Sequence, residues 1–371
     1  MRLTRIELRE MRMPLVAPFV TSFGTFNLRR IVIVRAFDQS GAFGYGECTA
    51  PAEPFFNAET IETAWHVTND FIGPLLAQGK PTRAADVNAS LLPIREHRMA
   101  KAAVETAVWD LEAKLAGVPL WRHLGGTQAT IDCGVSIGLQ PSVEALVETV
   151  TRELKSGYQR IKLKIKPGQD IRLVEAVRER FPDIALSVDA NSAYSLERDR
   201  AIFQQLDTCR LMMIEQPLAA GDLLDHAKLQ RDMRTRLCLD ESVVGIVSAR
   251  QAHELGSCRI FNIKLGRVGG HAEAQAIQAF AREVGFPAWC GGMLESGIGR
   301  AHNIAMATQP GFTLPGDISA SSRYFAEDVI DPPVTVSAQG TIAAPEGPGI
   351  GFAVDEPRLE KLTVRRAEIA L

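Results

Sequence analysis

The sequence has no surplus of either charge, no paired cysteines and no long apolar run, and each absence removes a class of function. Its 41 basic and 44 acidic residues leave a net charge of −3. That provides no positive field for nucleic acid, and no basic patch carries interleaved aromatics. Six cysteines, at positions 48, 133, 209, 238, 258 and 290, are scattered with no CxxC pair. In a chain of 371 residues they read as core thiols of a reducing compartment, not as a disulfide framework. The opening MRLTRIELREMRMPL alternates charges where a secretion signal would have an apolar core. No uninterrupted apolar stretch reaches membrane-spanning length, and no low-complexity tract or heptad repeat is present. The expectation is a cytoplasmic globular protein without membrane or nucleic-acid partners, and a length sufficient for a barrel plus an additional domain.

What is present is a repeated pattern between residues 160 and 270. The pieces RIKLKI, LSVDAN, MMIEQP, LCLDES and FNIKLG are short apolar runs, each ending at one charged residue: Lys164, Asp189, Glu215, Asp240 and Lys264. Successive spacings of 25, 26, 25 and 24 residues match one strand–helix unit of a (β/α)8 barrel. Parallel barrel strands point their C-terminal ends to one face, so five charges in that phase converge on one site. Alternation adds detail. Ile161, Leu163 and Ile165 share one face of their strand and Lys162 and Lys164 the other, which must point inward because the outer face packs on helices. The same count turns Asp189 and Asn191 inward together, and aligns Asn262 with Lys264.

Three carboxylates crowded at strand ends repel one another unless a cation lies between them. Oxygen ligands without His or Cys suit Mg²⁺ or Mn²⁺, not zinc, so Asp189, Glu215 and Asp240 are candidate metal ligands. Any one strand-end charge could simply meet water, and a ring of structural salt bridges between two lysines and three acids stays open as an alternative.

The KLK at 162–164, DAN at 189–191, IEQP at 214–217, DES at 240–242 and NIK at 262–264 resemble the enolase superfamily, and more narrowly its muconate lactonizing enzyme subgroup. DANSAYSL at 189–196, KPG at 166–168, RVGGHAEA at 267–274 and GGMLESGIGRAHN at 291–303 are similar to the o-succinylbenzoate synthase and N-succinylamino acid racemase family. The resemblance covers almost the whole chain. It implies an α/β fold, a modified (β/α)7β TIM barrel with an N-terminal α+β capping domain.

The remaining chain fits that outline. Residues 3–13 alternate as a strand, 15–27 read as a loop, and 30–37 with 42–47 form a hairpin across DQSG. Residues 59–76 and 99–116 carry helical spacing, the second with Ala102, Val104, Val108, Leu111 and Leu115 toward a core. Strands followed by helices suggest an α+β domain over 1–126. The barrel is expected over 127–323, and a Pro- and Gly-rich segment over 324–371 is assumed, from the resemblance, to return to the capping domain. Within the barrel, 130–138 reads as the first strand with Ser136 near its open end, 285–291 as the seventh and 312–317 as the last. The resemblance makes Ser22 and Phe23, in the early loop, candidate substrate contacts. Ser136, Asn191, Gly291 and Met293 are further candidates, the last two in a glycine-rich loop whose amides could approach a ligand. His271 and His302 have no second ligand at helical or hairpin spacing and read as surface or supporting residues.

The resemblance further implies the chemistry. In that superfamily a Lys or His base works beside a bound divalent metal, and Lys164 and Lys264 lie on strands on opposite sides of the barrel mouth, with Lys162 as an additional catalytic candidate. Two opposed lysines permit racemisation of N-acylamino acids or syn-dehydration to o-succinylbenzoate in menaquinone synthesis. The substrate would be a small carboxylate and the protein is expected to form a homo-oligomer. Dipeptide epimerase and muconate-type cycloisomerase are the neighbouring activities. The seventh strand, FPAWCGG, has no histidine, which argues against an acid-sugar dehydratase. From other classes, a Schiff-base aldolase barrel could use either lysine as nucleophile but would not need three acids in phase. A non-catalytic binding barrel would normally have lost a member of the set.

Overall fold

The computed structural model describes residues 1–22 and 24–371. Its first unit is an antiparallel sheet. β1 (Leu3–Val20), β2 (Thr25–Asp38) and β3 (Phe43–Cys48) are consecutive neighbours. Behind them lie α1 (Ile61–Val67), a wider helical turn at Thr68–Ile72, α2 (Gly73–Gly79) and the long α3 (Arg98–Leu115). α3 lies so close to β3 that a Cβ on Gly46 would be 2.0 Å from Ala103 O, and only glycine fits.

Residues 15–27, expected as a loop, are instead mostly strand. β1 and β2 run on as a long hairpin to Phe19↔Phe26 and Val20↔Thr25, with an irregularity between Pro14 and Phe19. The arm has no single buried face and carries Pro14 and Pro18, so its sequence lacks the alternation that marks a strand. Its tip docks elsewhere. Val16 N–H donates to Tyr324 O, and Val20 O accepts from Leu139 N–H at 3.0 Å. Leu115, expected in the core, is exposed at the end of α3, while Ala102, Val104, Val108 and Leu111 are buried.

The second unit is the barrel. Its strands are β5 (Gly134–Ile137), β6 (Arg160–Lys164), β7 (Ala185–Asp189), β8 (Met213–Glu215), β9 (Leu237–Leu239), β10 (Ile260–Ile263) and β11 (Ala288–Cys290). They pair in parallel in chain order. The helices between them are α4 (Val143–Lys155), α5 (Ile171–Arg180), α6 (Leu196–Leu206), α7 (Leu223–Asp232), α8 (Ile246–Leu255) and α9 (His271–Glu283), and α10 (Gly297–Ala307) follows β11. Segment 312–317 closes the ring. It takes Ala288 O and Cys290 O on one side and exchanges bonds between Gly316, Asp132 and Gly134 on the other.

The stretch 130–138 is not one strand. β4 (Thr130–Asp132) pairs antiparallel with β12 (Thr341–Ala343), and the chain then breaks at Cys133 before β5 joins the barrel. The break lets one segment serve two partners of opposite direction. The C-terminal α11 (Glu356–Leu362) and β13 (Thr363–Ala370) return to the first sheet, where β13 pairs antiparallel with β1. Among the described residues no helix is long and apolar enough to cross a membrane, and all six cysteines are buried and free.

Candidate active site

The barrel interior is built in layers because inward residues of parallel strands fall at equal heights. At the floor, Met213, Cys238, Ile260 and Trp289 form a small apolar cluster of their own. Arg160 lies over the Trp289 ring at 4.5 Å, and its guanidinium donates to Asp317 Oδ1 at 2.6 Å and to Pro315 O at 3.0 Å. A Cβ on Gly134 would come within 2.8 Å of Arg160 Nε, so the glycine makes room for it.

One layer up is Lys162, with Nζ 2.5 Å from Asp317, 2.8 Å from Glu215 and 3.4 Å from Asp189. Burial alone would lower this ammonium's pKa. Asp317, Glu215 and Asp189 outweigh burial and hold it above the ordinary lysine range. Asn262 Nδ2 donates to the other Glu215 oxygen at 2.8 Å.

At the mouth, sheet order sets the chemistry. β6, β7, β8, β9 and β10 are neighbours in that sequence, so the charges follow as Lys164, Asp189, Glu215, Asp240, Lys264. The three acids are buried, and one carboxylate oxygen of each lies within 4.8 Å of the others. Lys164 Nζ donates to Asp189 Oδ2 and to Asn191 Oδ1, both at 2.6 Å. Lys264 Nζ donates to Asp240 Oδ2 at 2.7 Å. Burial raises the Asp189 carboxyl, but Lys164 and Lys162 pull it down to about 2. Arg267 forms an ion pair with the other Asp240 oxygen, Oδ1, and burial lowers its own pKa to about 9. Asn191 completes a bridge, donating from Nδ2 to Glu241 Oε1 at 2.9 Å. An all-carboxylate set with oxygens this close fits a hard divalent cation, and each acid already carries a cationic or amide partner that fixes its orientation.

Above these residues opens a cavity lined among others by Phe19, Phe56, Met293, Leu294, Ile318 and Tyr324. Lys162, Lys164, Asn191, Lys264 and Ser136 also line it. The Ser136 hydroxyl is buried and has no hydrogen-bond partner among the described residues. Ser22 Oγ reaches Ala190 O at 3.5 Å, over the strand-end loop that carries Asn191. Phe23 lies outside the described residues. Gly291 is a correction. Its N–H is used by Ile263 O at 3.0 Å, and a Cβ there would press on Lys264 Cε at 2.7 Å. Its amide is spent in the barrel wall and its smallness clears the path of Lys264.

Several residues were not found from sequence. Asp317 sits on the irregular closing segment, where no alternation marks it, and Arg267 follows the end of β10. His271 and His302, expected at the surface or in support, are fully buried, 3.0 Å apart, between α9 and α10. His302 Nε2 donates to Tyr45 O at 2.7 Å, so this pair belongs to the seam with the first domain and not to the cavity.

Residues 4–125 match the mandelate racemase / muconate lactonizing enzyme N-terminal domain family, and residues 145–358 the enolase C-terminal domain-like family. An o-succinylbenzoate synthase from Geobacillus kaustophilus is 51% identical over 96% of this chain and 94% of its own length. An N-succinylamino acid racemase from Thermus thermophilus is 47% identical over 98% of both. A solved enolase-superfamily structure from Listeria innocua superposes with a TM-score of 0.95 at 43% identity, covering 99% of each chain.

Proposed function

The chain belongs to the enolase superfamily, with the two-domain organisation of the mandelate racemase / muconate lactonizing enzyme family, and from that premise we propose that it abstracts the proton alpha to a substrate carboxylate, as an o-succinylbenzoate synthase, an N-succinylamino acid racemase, or both. Relatives of both names match along essentially the whole chain. The observation that carries the reading is the order of charges across five neighbouring strands, with one lysine on each side of three clustered acids.

Asp189, Glu215 and Asp240 would hold the divalent cation, which we take to be Mg²⁺ with Mn²⁺ as a substitute. Such an ion, bound to the substrate carboxylate, offsets the negative charge that grows there as the α-proton leaves. Every other task falls to side chains of this protein. Lys164 and Lys264 stand on opposite sides of the acids, each able to hold or release a proton at Nζ over one face of the α-carbon. In racemisation one lysine takes the proton and the other delivers a proton to the opposite face. In syn-dehydration one lysine takes the α-proton and returns it to the departing hydroxyl, which leaves as water when the C–O bond breaks. Lys162 lies beneath the acids and balances their charge, and Asn191 holds Lys164 in place. The apolar cavity wall excludes water from the reacting carbon and accepts a small-molecule side chain.

The buried, unpaired cysteines agree with work in the reducing cytoplasm, and we take the protein to assemble as a homo-oligomer. The activity itself is tested with purified protein and Mg²⁺. Either optically pure N-succinylphenylalanine loses its optical activity, or the cyclohexadiene precursor of o-succinylbenzoate is dehydrated. Failure of both conversions overturns the reading.

A further inference from the structure

The stretch of cavity wall that carries Met293 and Leu294 is not held by the barrel alone. It belongs to the loop 291–296 between β11 and α10, in which Leu294 has a φ of +59°. A non-glycine residue in the left-handed region persists where its surroundings keep it there. Part of that hold is internal. Glu295 Oε1 accepts from Met293 N–H at 2.8 Å, and the Arg300 guanidinium donates to Glu295 O at 2.9 Å and to Ser319 O at 2.8 Å.

The rest comes from the first domain. Glu47, on β3, is buried behind this wall, in a recess that Thr49, Glu295 and Asn303 also line. It accepts from Ser296 N–H at 3.0 Å and Gly299 N–H at 2.9 Å, and also from the Ser296 hydroxyl. A Cβ on Gly299 would lie 2.9 Å from Glu47 Cδ, so the glycine makes room for the carboxyl. Asp328 Oδ1 takes Gly297 N–H at 2.7 Å, and Ser296 Oγ takes Ile298 N–H at 3.3 Å. Four successive amides at the start of α10 are thus satisfied by side chains, two of them by one residue of the other domain. Burial pushes the Glu47 carboxyl up to about 8, so near neutrality it is largely protonated and supplies acceptors more than charge. Glu47 and Glu295 also attract Arg29 of β2, which lines the cavity and donates to Thr49 O at 3.1 Å.

We propose that Glu47 is a positioning residue for substrate selection, acting through Ser296 and Gly299 to fix the backbone that presents Met293 and Leu294 to the substrate's side chain. Ser296 follows Leu294 by two residues. Without Glu47 two buried amides lose their acceptor, the start of α10 shifts to satisfy them, and the strained wall relaxes with it. Docking of the first domain and the shape of the apolar pocket are then set by one contact. The inference rests on the proposed α-proton chemistry for how the substrate is oriented, with its side chain on the apolar wall, but its test requires binding and not turnover.

The probes are N-succinyl-L-phenylalanine and N-succinyl-L-alanine, identical apart from the side chain. Calorimetric titration of the Mg²⁺-supplemented enzyme reads their affinity ratio directly. Wild type should prefer the phenylalanine compound by about tenfold or more, as burial of a phenyl ring would give. Glu47→Ala should reduce that preference about tenfold, the scale for a residue that orients other groups, and leave affinity for the alanine compound within about twofold of wild type. Glu47→Gln keeps the neutral form and one acceptor, and should fall between. A role confined to stability would lower the melting temperature and leave the ratio at its wild-type value in folded enzyme. That result overturns the proposal, as does a wild type that binds neither probe or does not discriminate. Should Glu47→Ala fail to fold, Glu47→Gln decides, and a preference equal to wild type in that variant means the assignment is wrong. If the probes bind in the expected pattern but neither conversion occurs, the catalytic reading fails and the role of Glu47 stands.

Discussion

Lys264 Nζ donates to Asp240 Oδ2 at 2.7 Å, and this contact puts the proposed base and the candidate metal site on one wall. The carboxylate that would bind a cation also positions the lysine that would hold the proton, so a change at either residue reaches the other. Lys164 and Asp189 repeat the relationship across the cavity at 2.6 Å.

Metal dependence is the first consequence. Enzyme stripped with chelator should lose α-proton exchange and regain it with Mg²⁺ or Mn²⁺. Asp240→Asn should lower the rate by about 10²–10³-fold, the scale of losing one preorganised electrostatic contact at developing charge. Both are measured by steady-state kinetics with added metal. A metal-free preparation that turns over at full rate contradicts the assignment.

Lys162 contributes charge balance from a fully buried position. In Lys162→Met, Asp317, Glu215 and Asp189 lose a shared cation in a dry environment. Breaking a buried pair in this way costs about 3–5 kcal/mol. Denaturant unfolding of the metal-free variant should show a loss on that scale, and a midpoint equal to wild type contradicts the role.

Asn191 links Lys164 to Glu241. Asn191→Ala leaves Lys164 with Asp189 alone, and kcat should fall about 10–100-fold, as for other residues that orient a functional group, with KM little changed. An unaltered kcat excludes a positioning role for the amide.

Glu105 supplies a pH signature in the seam between the units. From α3 it accepts the N–H groups of His271 and Ala272 at 2.8 and 2.9 Å and Trp109 Nε1 at 2.7 Å. Burial outweighs these bonds and pushes its carboxyl up to about 7. The folded state then holds this proton more tightly than the unfolded chain. Its stabilisation is complete below the ordinary value of 4.5 and is lost as pH rises through about 7. His271 and His302 act in the opposite sense. Burial holds both below 6.5, so their stabilisation is present above that value and is lost as pH falls. Subtracting the melting curve of Glu105→Gln from that of wild type isolates the carboxyl. The difference should decline between about pH 5 and 8, and a flat difference contradicts it.

The parts of the site readable in sequence were those carried by regular strands. Period-2 alternation within a strand and a near-constant interval between strands together place Lys162, Lys164, Asp189, Asn191, Glu215, Asp240 and Lys264 inward at one end. The barrel and the α+β first domain followed from the same periods. Asp317 escaped because segment 312–317 closes the barrel through isolated bonds and has no alternation of its own, although its partners Arg160 and Lys162 are more than 150 residues away. Arg29 escaped for a different reason. Arg29 and Arg30 are adjacent on a long strand, and only the docked barrel decides that one faces the cavity while the other pairs with the buried Glu10 and the exposed Glu62. The hairpin arm of β1 and β2 and the His271–His302 pair likewise depend on contacts between distant segments, which local pattern does not encode.

Deuterium incorporation at the α-carbon of N-succinyl amino acids, followed by NMR in D₂O for wild type, Lys164→Ala and Lys264→Ala, tests the central claim most directly. If two lysines address opposite faces, wild type exchanges both enantiomers. Each variant then loses exchange from one enantiomer, a different one in each case, and racemisation stops in both. Normal exchange of both enantiomers by Lys264→Ala, or by Lys164→Ala, would contradict the two-base arrangement.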